Sequence, residues 1–238
     1  MPMALKAQQY HVAAVAGERV LIDSSYVADA AAEEFLQPYR HLVDSVMSPV
    51  VGRTARALPT HKPESELSNL MCDIIVWKAE QYGEHPDLGL YNFGGIRASL
   101  PAGDITLGEI NDIAPFSNYI SLVTLTGEQL TELFQQVQQK FGTAVSHGVE
   151  VRYNDRQLTS VTLNGKPLDP ARQYRIVTIN YLLQGNDAFT NLSRGTDTRI
   201  YECEDGLMRN VIAEYFRMKS AKGEEVDSHI EGRTIVTK

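Results

Sequence analysis

The 238-residue sequence contains one tryptophan, two cysteines, six histidines and no long apolar run. No stretch approaches the ~20 consecutive apolar residues of a membrane span, so no transmembrane helix is expected. The opening residues, MPMALKAQQYH, lack the apolar core of about 7–15 residues found in a signal peptide. The expectation is a cytoplasmic protein, or one whose export signal has been removed. Basic charge is also short: a formal net charge of −8 argues against nonspecific nucleic-acid binding, which needs a cationic surface. Cys72 falls in a predicted helix and Cys203 on a strand or loop, and they read as free thiols rather than a disulfide. The histidines (His11, His41, His61, His85, His147 and His229) are scattered, with no pairing at metal-ligand spacing. Asp227-Ser-His229 has the form Asp-x-His but lacks the partners a two-metal centre needs. A nucleophile elbow, a Walker loop and a dinucleotide fingerprint are absent too. No catalytic residue and no metal ligand is identified.

What is present is an ordinary globular composition, 43% hydrophobic and 22% charged, long enough for a sizeable core in one large or two small domains. Residues 1–26 are hard to read; Val20 to Ile22 and Tyr26-Val27 are candidate short strands. Asp29 to Met47 has helical periodicity, with Phe35, Leu36, Tyr39, Leu42, Val43 and Val46 on one face, and Pro38 is expected to kink or split it. Val50 to Gly52 reads as a strand entering a turn. Pro63 to Tyr82 is the strongest helix, its apolar residues Leu67, Leu70, Met71, Ile74 and Ile75 recurring at helical spacing. Tyr119 to Leu125 reads as a strand, and Thr126-Gly-Glu-Gln129 caps a helix reaching about Phe141. Val149 to Tyr153 and Leu158 to Leu163 alternate as strands, with a hairpin turn at Asn164-Gly165. Tyr174 to Tyr181 is expected to be a central strand, followed by a loop from Leu182 to Phe189. Asp205 is expected to cap a last helix ending near Met218, and Ile230 to Thr237 closes as a strand. Strands and helices mix without a regular repeat, which predicts an α+β fold with mixed sheets flanked by helices. The expected division is an N-terminal extension, residues 1–52, followed by a domain at 53–238.

The most informative stretch runs from Tyr91 to Asn118, YNFGGIRASLPAGDITLGEINDIAPFSN. Leu88 to Asn92 reads as a buried strand ended by Gly94-Gly95, where glycine permits positive φ or close backbone approach to a ligand. Arg97 follows, a fork of donors suited to phosphate or carboxylate. Thr106-Leu-Gly-Glu109 caps a short helix that Pro115 stops. Phe116 therefore sits on a loop, where an aromatic is either a core plug or an exposed stacking surface.

Asn92 to Arg97, Gly103 to Thr106 and Pro115 to Asn118 together resemble the Asn-x-Gly-Gly-Ile-Arg, Gly-Asp-Ile-Thr and Pro-Phe-x-Asn motifs of the 5′-nucleotidase family. The match is to its C-terminal, substrate-binding domain, and extends from about Val27 to the end of the chain. Gly185 to Phe189 resembles the family's Gly-Gly-Asp-Gly-Phe loop, with Asn186 and Ala188 where the family has glycine. The resemblance implies that Phe116 and Phe189 sandwich a nucleobase, Asn92 hydrogen-bonds it, and Arg97 meets phosphate. It implies further that Gly94 and Gly95 line the site and that Asp187 accepts a ribose hydroxyl. Asn118 and Asp104 are expected to hold their loops, and Tyr181 is a further candidate wall. Before the helix segment at Glu64 the family commonly has a phosphate-holding arginine; this chain has His61, with Lys62 beside it.

The family's chemistry is done by two divalent metals in a separate metallophosphatase domain, whose signatures this sequence does not carry. The expectation is a nucleotide- or nucleoside-binding domain that works with such a domain protein, in the periplasm or a secreted location as the resemblance implies. It has no cofactor of its own and cannot activate water alone. Two alternatives stay open: a non-catalytic nucleotide-binding protein, and a complete small hydrolase using an unrecognised site such as His61 with Asp187.

Overall fold

The computed structural model describes residues 11–138 and 142–237. It divides into two compact units, residues 1–43 and 44–238, so the division falls after Val43 rather than after Gly52. In the first unit, residues 11–29 contain no strand, and the short strands expected at Val20–Ile22 and Tyr26-Val27 are absent. All of residues 11–29 are exposed, so a strand there would have no face to bury. Helix α1 (Ala30–Met47) spans the division and has no buried residue. Asp29 caps it, accepting from the Ala31 and Ala32 amides at 2.9 and 3.0 Å. Pro38 lies inside it without splitting it.

The second unit begins with β1 (Val50–Thr54), and the expected boundary at Gly52 cuts through this strand. Helix α2 (Glu66–Gln81) follows, capped by Ser65, which exchanges hydrogen bonds with Ser68. Leu67, Leu70, Met71, Ile74 and Ile75 are all buried, as the periodicity predicts, each contributing about 1.5–3 kcal/mol. Strand β2 (Leu88–Tyr91), β3 (Gly103–Thr106), helix α3 (Leu107–Ile113) and β4 (Ile120–Thr126) come next. The box at Thr106 and Glu109 forms as expected. At Thr126 the side chain accepts from the Gln129 amide at 3.2 Å and starts α4 (Gly127–Gln138); the helix end expected near Phe141 lies outside the described residues.

The remaining elements are β5 (Ala144–Val145), β6 (Val149–Asn154), β7 (Gln157–Leu163), β8 (Lys166–Pro167), β9 (Gln173–Ile179), a helical turn α5 (Asn180–Leu183), β10 (Thr196–Ile200), α6 (Met208–Ala221) and β11 (Thr234–Thr237). Asn164 and Gly165 both take positive φ, 51° and 73°, as a tight β7–β8 hairpin requires. Asp205 does not cap α6, whose first turn follows Leu207 without a side-chain cap. Its carboxylate instead accepts from the Lys78 ammonium at 2.7 Å; this hydrogen bond holds the carboxyl below the usual range against its partial burial. The last strand starts at Thr234 rather than Ile230, because the Glu231 amide donates to Glu64 Oε1 and the buried Arg233 guanidinium turns to Asp73.

Three sheets result: β1–β3, the five-stranded β10–β4–β9–β2–β5, and β11–β6–β7–β8. Strand β9 is central to the largest, as expected. It runs parallel to β2 and antiparallel to β4, while β6 and β11 are parallel in the third sheet. Mixed sheets flanked by helices are the α+β architecture read from the sequence. One consequence positions the site. The parallel pair β2 and β9 ends on the side where the antiparallel β4 begins, with Ile120 opposite Ile179. The segments following β2 and β9 and the one entering β4 therefore gather at one end of the sheet.

Candidate functional site

A cavity of about 330 Å³ lies at that end, lined by Asn92, Gly94, Gly95, Arg97, Phe116, Asn118, Tyr181 and Asp187. Six of the seven site residues named from the sequence are among them. Its inner wall is polar and tightly held. Asn92, at the end of β2, is 3% exposed, and its amide donates to Asp187 Oδ2 at 2.6 Å. Asn92 Oδ1 is buried with no hydrogen-bond partner among the described residues. An unpaired acceptor of this kind costs about 1–3 kcal/mol, and a ligand donor would relieve it.

The glycines serve this wall by what they lack. Neither Gly94 nor Gly95 has positive φ; they sit in a short turn, Phe93–Gly95. A Cβ on Gly95 would lie 2.7 Å from Asn92 Oδ1 and 2.8 Å from Tyr91 Cε1, so only glycine leaves room for the Asn92 amide. On the opposite strand end, Asp187 has φ 52° and Ala188 φ 69°. Two consecutive side-chain-bearing residues in the left-handed region mark stored strain, about 1–3 kcal/mol each. This conformation turns the Asp187 carboxylate onto Asn92.

The rim is open and aromatic. Phe116 is 47% and Tyr181 38% exposed. The Arg97 guanidinium sits 5.9 Å from the Phe116 ring centroid, one nitrogen 3.4 Å from the Gly94 carbonyl. The Phe116 loop is clamped from two sides: Arg209 donates to the Pro115 carbonyl at 3.2 Å and to Ser117 Oγ at 3.4 Å, and Asn180 Oδ1 accepts from the Tyr119 amide at 2.9 Å. Tyr181 donates its hydroxyl to Asp187 Oδ1 at 3.2 Å. Its phenol is raised above the usual tyrosine range, chiefly by desolvation and then by the Asp187 charge.

Phe189 requires a correction. It is fully buried in the hydrophobic core and does not line the cavity. The left-handed turn at Asp187 and Ala188 sends the chain inward, and the ring follows it. Tyr181 takes the place on the wall. Asn118 lines the cavity while its carbonyl accepts from the Met208 amide at 2.9 Å. Asp104 is on β3, paired with Arg53. His61 is exposed and outside the lining, so it does not meet Asp187 across the cavity. Arg209 was missed, because no sequence signal connects a helix residue to a loop over ninety positions earlier.

Among the described residues no group of three or more His, Cys, Asp or Glu side chains is placed to hold a metal. Asp227 and His229 both turn to Arg56 instead. No described helix is long and apolar enough to cross a membrane.

The family model for "5'-nucleotidase, C-terminal domain" matches residues 48–194. Protein UshA of Escherichia coli is 24% identical over 179 residues, covering 74% of this chain but 32% of UshA. The trifunctional nucleotide phosphoesterase protein YfkN of Bacillus subtilis is 27% identical over 241 aligned residues, covering 89% of this chain and 15% of YfkN. The chain therefore spans a third or less of these relatives. Among solved structures, a 5'-nucleotidase precursor from Thermus thermophilus superposes with a TM-score of 0.75 at 27% identity, over 87% of this chain and 43% of that one. With the cavity lined by two of the three motifs, Asn92 to Arg97 and Pro115 to Asn118, and the family model matching most of the chain, the protein belongs to the 5'-nucleotidase C-terminal domain family.

Proposed function

We propose that residues 44–238 form the substrate-recognition domain of a 5′-nucleotidase-type phosphoester hydrolase of nucleotide catabolism. The ligand is a nucleotide or nucleoside. The observation that carries this reading is the cavity itself, where two exposed aromatic rings, one arginine and a buried amide bound to a half-buried carboxylate converge. Each answers one part of a nucleotide: Phe116 and Tyr181 offer flat apolar faces to a base, Asp187 accepts from a sugar hydroxyl, and Arg97 meets phosphate. Arg97 stands at the rim, which leaves the phosphate pointing out of the cavity toward solvent. Metal-dependent cleavage then belongs to a separate metallophosphatase domain acting on that outward phosphate. By the same resemblance the protein works in the periplasm or outside the cell.

Affinity for the isolated chain is expected to be weak. Two stacking contacts and one charged hydrogen bond contribute about 3.5–9 kcal/mol gross, while association costs at least ~4 kcal/mol. A Kd near or above ~1 mM is expected, since that corresponds to about −4.1 kcal/mol. Titration calorimetry of the chain with AMP, adenosine and inorganic phosphate at one fixed ionic strength tests the reading. Arg97→Ala is expected to weaken AMP by about 1.5–3 kcal/mol and to leave adenosine unchanged. Equal loss for both ligands would remove Arg97 from the phosphate, and no base-dependent heat with either would remove the cavity.

A further inference from the structure

Asp187 is the one carboxylate lining the cavity, and both of its oxygens are already taken. The two bonds differ in kind. Asn92 donates to Oδ2 at 2.6 Å from a residue only 3% exposed, with Gly95 packed against its other face. Tyr181 donates to Oδ1 at 3.2 Å from a ring 38% exposed. An amide N–H meets an oxygen at about 2.7–3.2 Å and a hydroxyl meets a carboxylate at about 2.5–2.7 Å, so the first bond is short for its kind and the second is stretched. The backbone adds to the asymmetry. Asp187 is set by a left-handed φ and Asn92 by the end of β2, so neither can move without undoing the turn or the strand. Tyr181 lies on the single helical turn α5 at the rim, where it is 38% exposed.

We propose that Tyr181 is a specificity-determining latch: its hydroxyl occupies the Asp187 oxygen that a sugar hydroxyl of the ligand takes, and it leaves when such a ligand enters. This rests on the nucleoside reading of the cavity and sharpens it to ligands bearing a free ribose hydroxyl. A ligand with the hydroxyl exchanges one hydrogen bond for another and must break the Tyr181–Asp187 contact to do so. A ligand without it leaves the latch closed and gains nothing from Asp187. Tyr181 therefore lowers the affinity for the very ligands Asp187 selects. Opening the latch takes a change of Tyr181 rotamer, which swings the hydroxyl off Asp187 and unties the ring from the opposite strand end.

The test is Tyr181→Phe in the full chain, which keeps the ring and removes the hydroxyl, titrated with adenosine and with 2′,3′-dideoxyadenosine. The expected result is a rise of about two- to tenfold in adenosine affinity, the range for removing one competing hydrogen bond, and dideoxyadenosine affinity unchanged within twofold. Asp187→Asn is expected to erase the difference between the two ligands in either background. Adenosine affinity that falls or stays the same in Tyr181→Phe would overturn the latch, as would an equal gain for both ligands. If Phe116→Ala leaves the binding of both nucleosides untouched, the cavity is not their site. That outcome takes the nucleoside reading down along with the latch, whereas the preceding ones defeat the latch alone.

Discussion

The two walls of the cavity are built on opposite terms. The inner wall pairs a buried Asn92 with a half-buried Asp187, is strained in its backbone and depends on a glycine for space. The outer rim, Arg97 with Phe116 and Tyr181, is exposed and held by long hydrogen bonds to neighbouring loops. Fold and function are therefore coupled on one side and separable on the other. An inner-wall change has to pass through the core before it reaches a ligand. A rim change reaches the ligand directly and costs the fold little.

The largest effect that exposes this difference lies behind the inner wall. Phe189→Ala empties a fully buried site and is expected to cost about 3–5 kcal/mol of stability, read from denaturant unfolding. A loss under 1 kcal/mol, together with weaker nucleoside binding, would return Phe189 to the ligand. Gly95→Ala comes next. Its Cβ must displace Asn92 or Tyr91, an overpacking expected to cost about 1–3 kcal/mol of stability and to weaken ligand binding at the same time. If that variant stays as stable as the parent and binds as well, the inner wall is looser than described.

Phe116→Ala separates the walls from the other side. The ring is half exposed, so stability is expected to stay within about 0.5 kcal/mol, while nucleoside affinity drops by about 1–3 kcal/mol. Unfolding at the parent's denaturant midpoint with lost binding confirms a rim residue; a large fall in midpoint would make Phe116 a core plug. The smallest effect is expected at Arg209, which does not line the cavity but donates to the residues on both sides of Phe116. Arg209→Ala should weaken base-dependent binding by about 0.5–1.5 kcal/mol. Arg209→Lys, which keeps one donor, should recover part of it, and inorganic phosphate binding should not move.

The same contrast decides what could be read in advance. Asn92, Gly94, Gly95, Arg97 and Phe116 lie within one run of twenty-five residues, so their proximity needs only a strand end, a turn and a capped helix. Each of these leaves a local mark: the Gly-Gly pair, the Thr106–Glu109 box and Pro115. The far wall leaves none. Tyr181 and Phe189 flank the same Gly-Asn-Asp segment, both aromatic, and the sequence does not say which of them faces out. The choice is made by the left-handed φ of Asp187 and Ala188, in a conformation non-glycine residues seldom adopt. For that reason the aromatic expected at the ligand is in the core and the weaker candidate is on the wall. Strand β10 escaped notice for a related reason. All five of its residues are exposed, so it carries no alternation, and it exists only because β4 offers it an edge. Asp205 shows the remaining limit: a carboxylate just ahead of an apolar run reads as a cap, but the buried Lys78 ammonium claims it.

Amide chemical-shift mapping during an adenosine titration of the full chain tests most directly whether this cavity is a nucleoside site. Shifts are expected to concentrate on residues 92–97, on Phe116 to Asn118 and on Tyr181 to Asp187, the three segments that meet at the end of the five-stranded sheet. They should vanish in Phe116→Ala. Shifts that cluster elsewhere, or that persist unchanged in that variant, would show that the cavity between the two walls is not where a nucleoside binds.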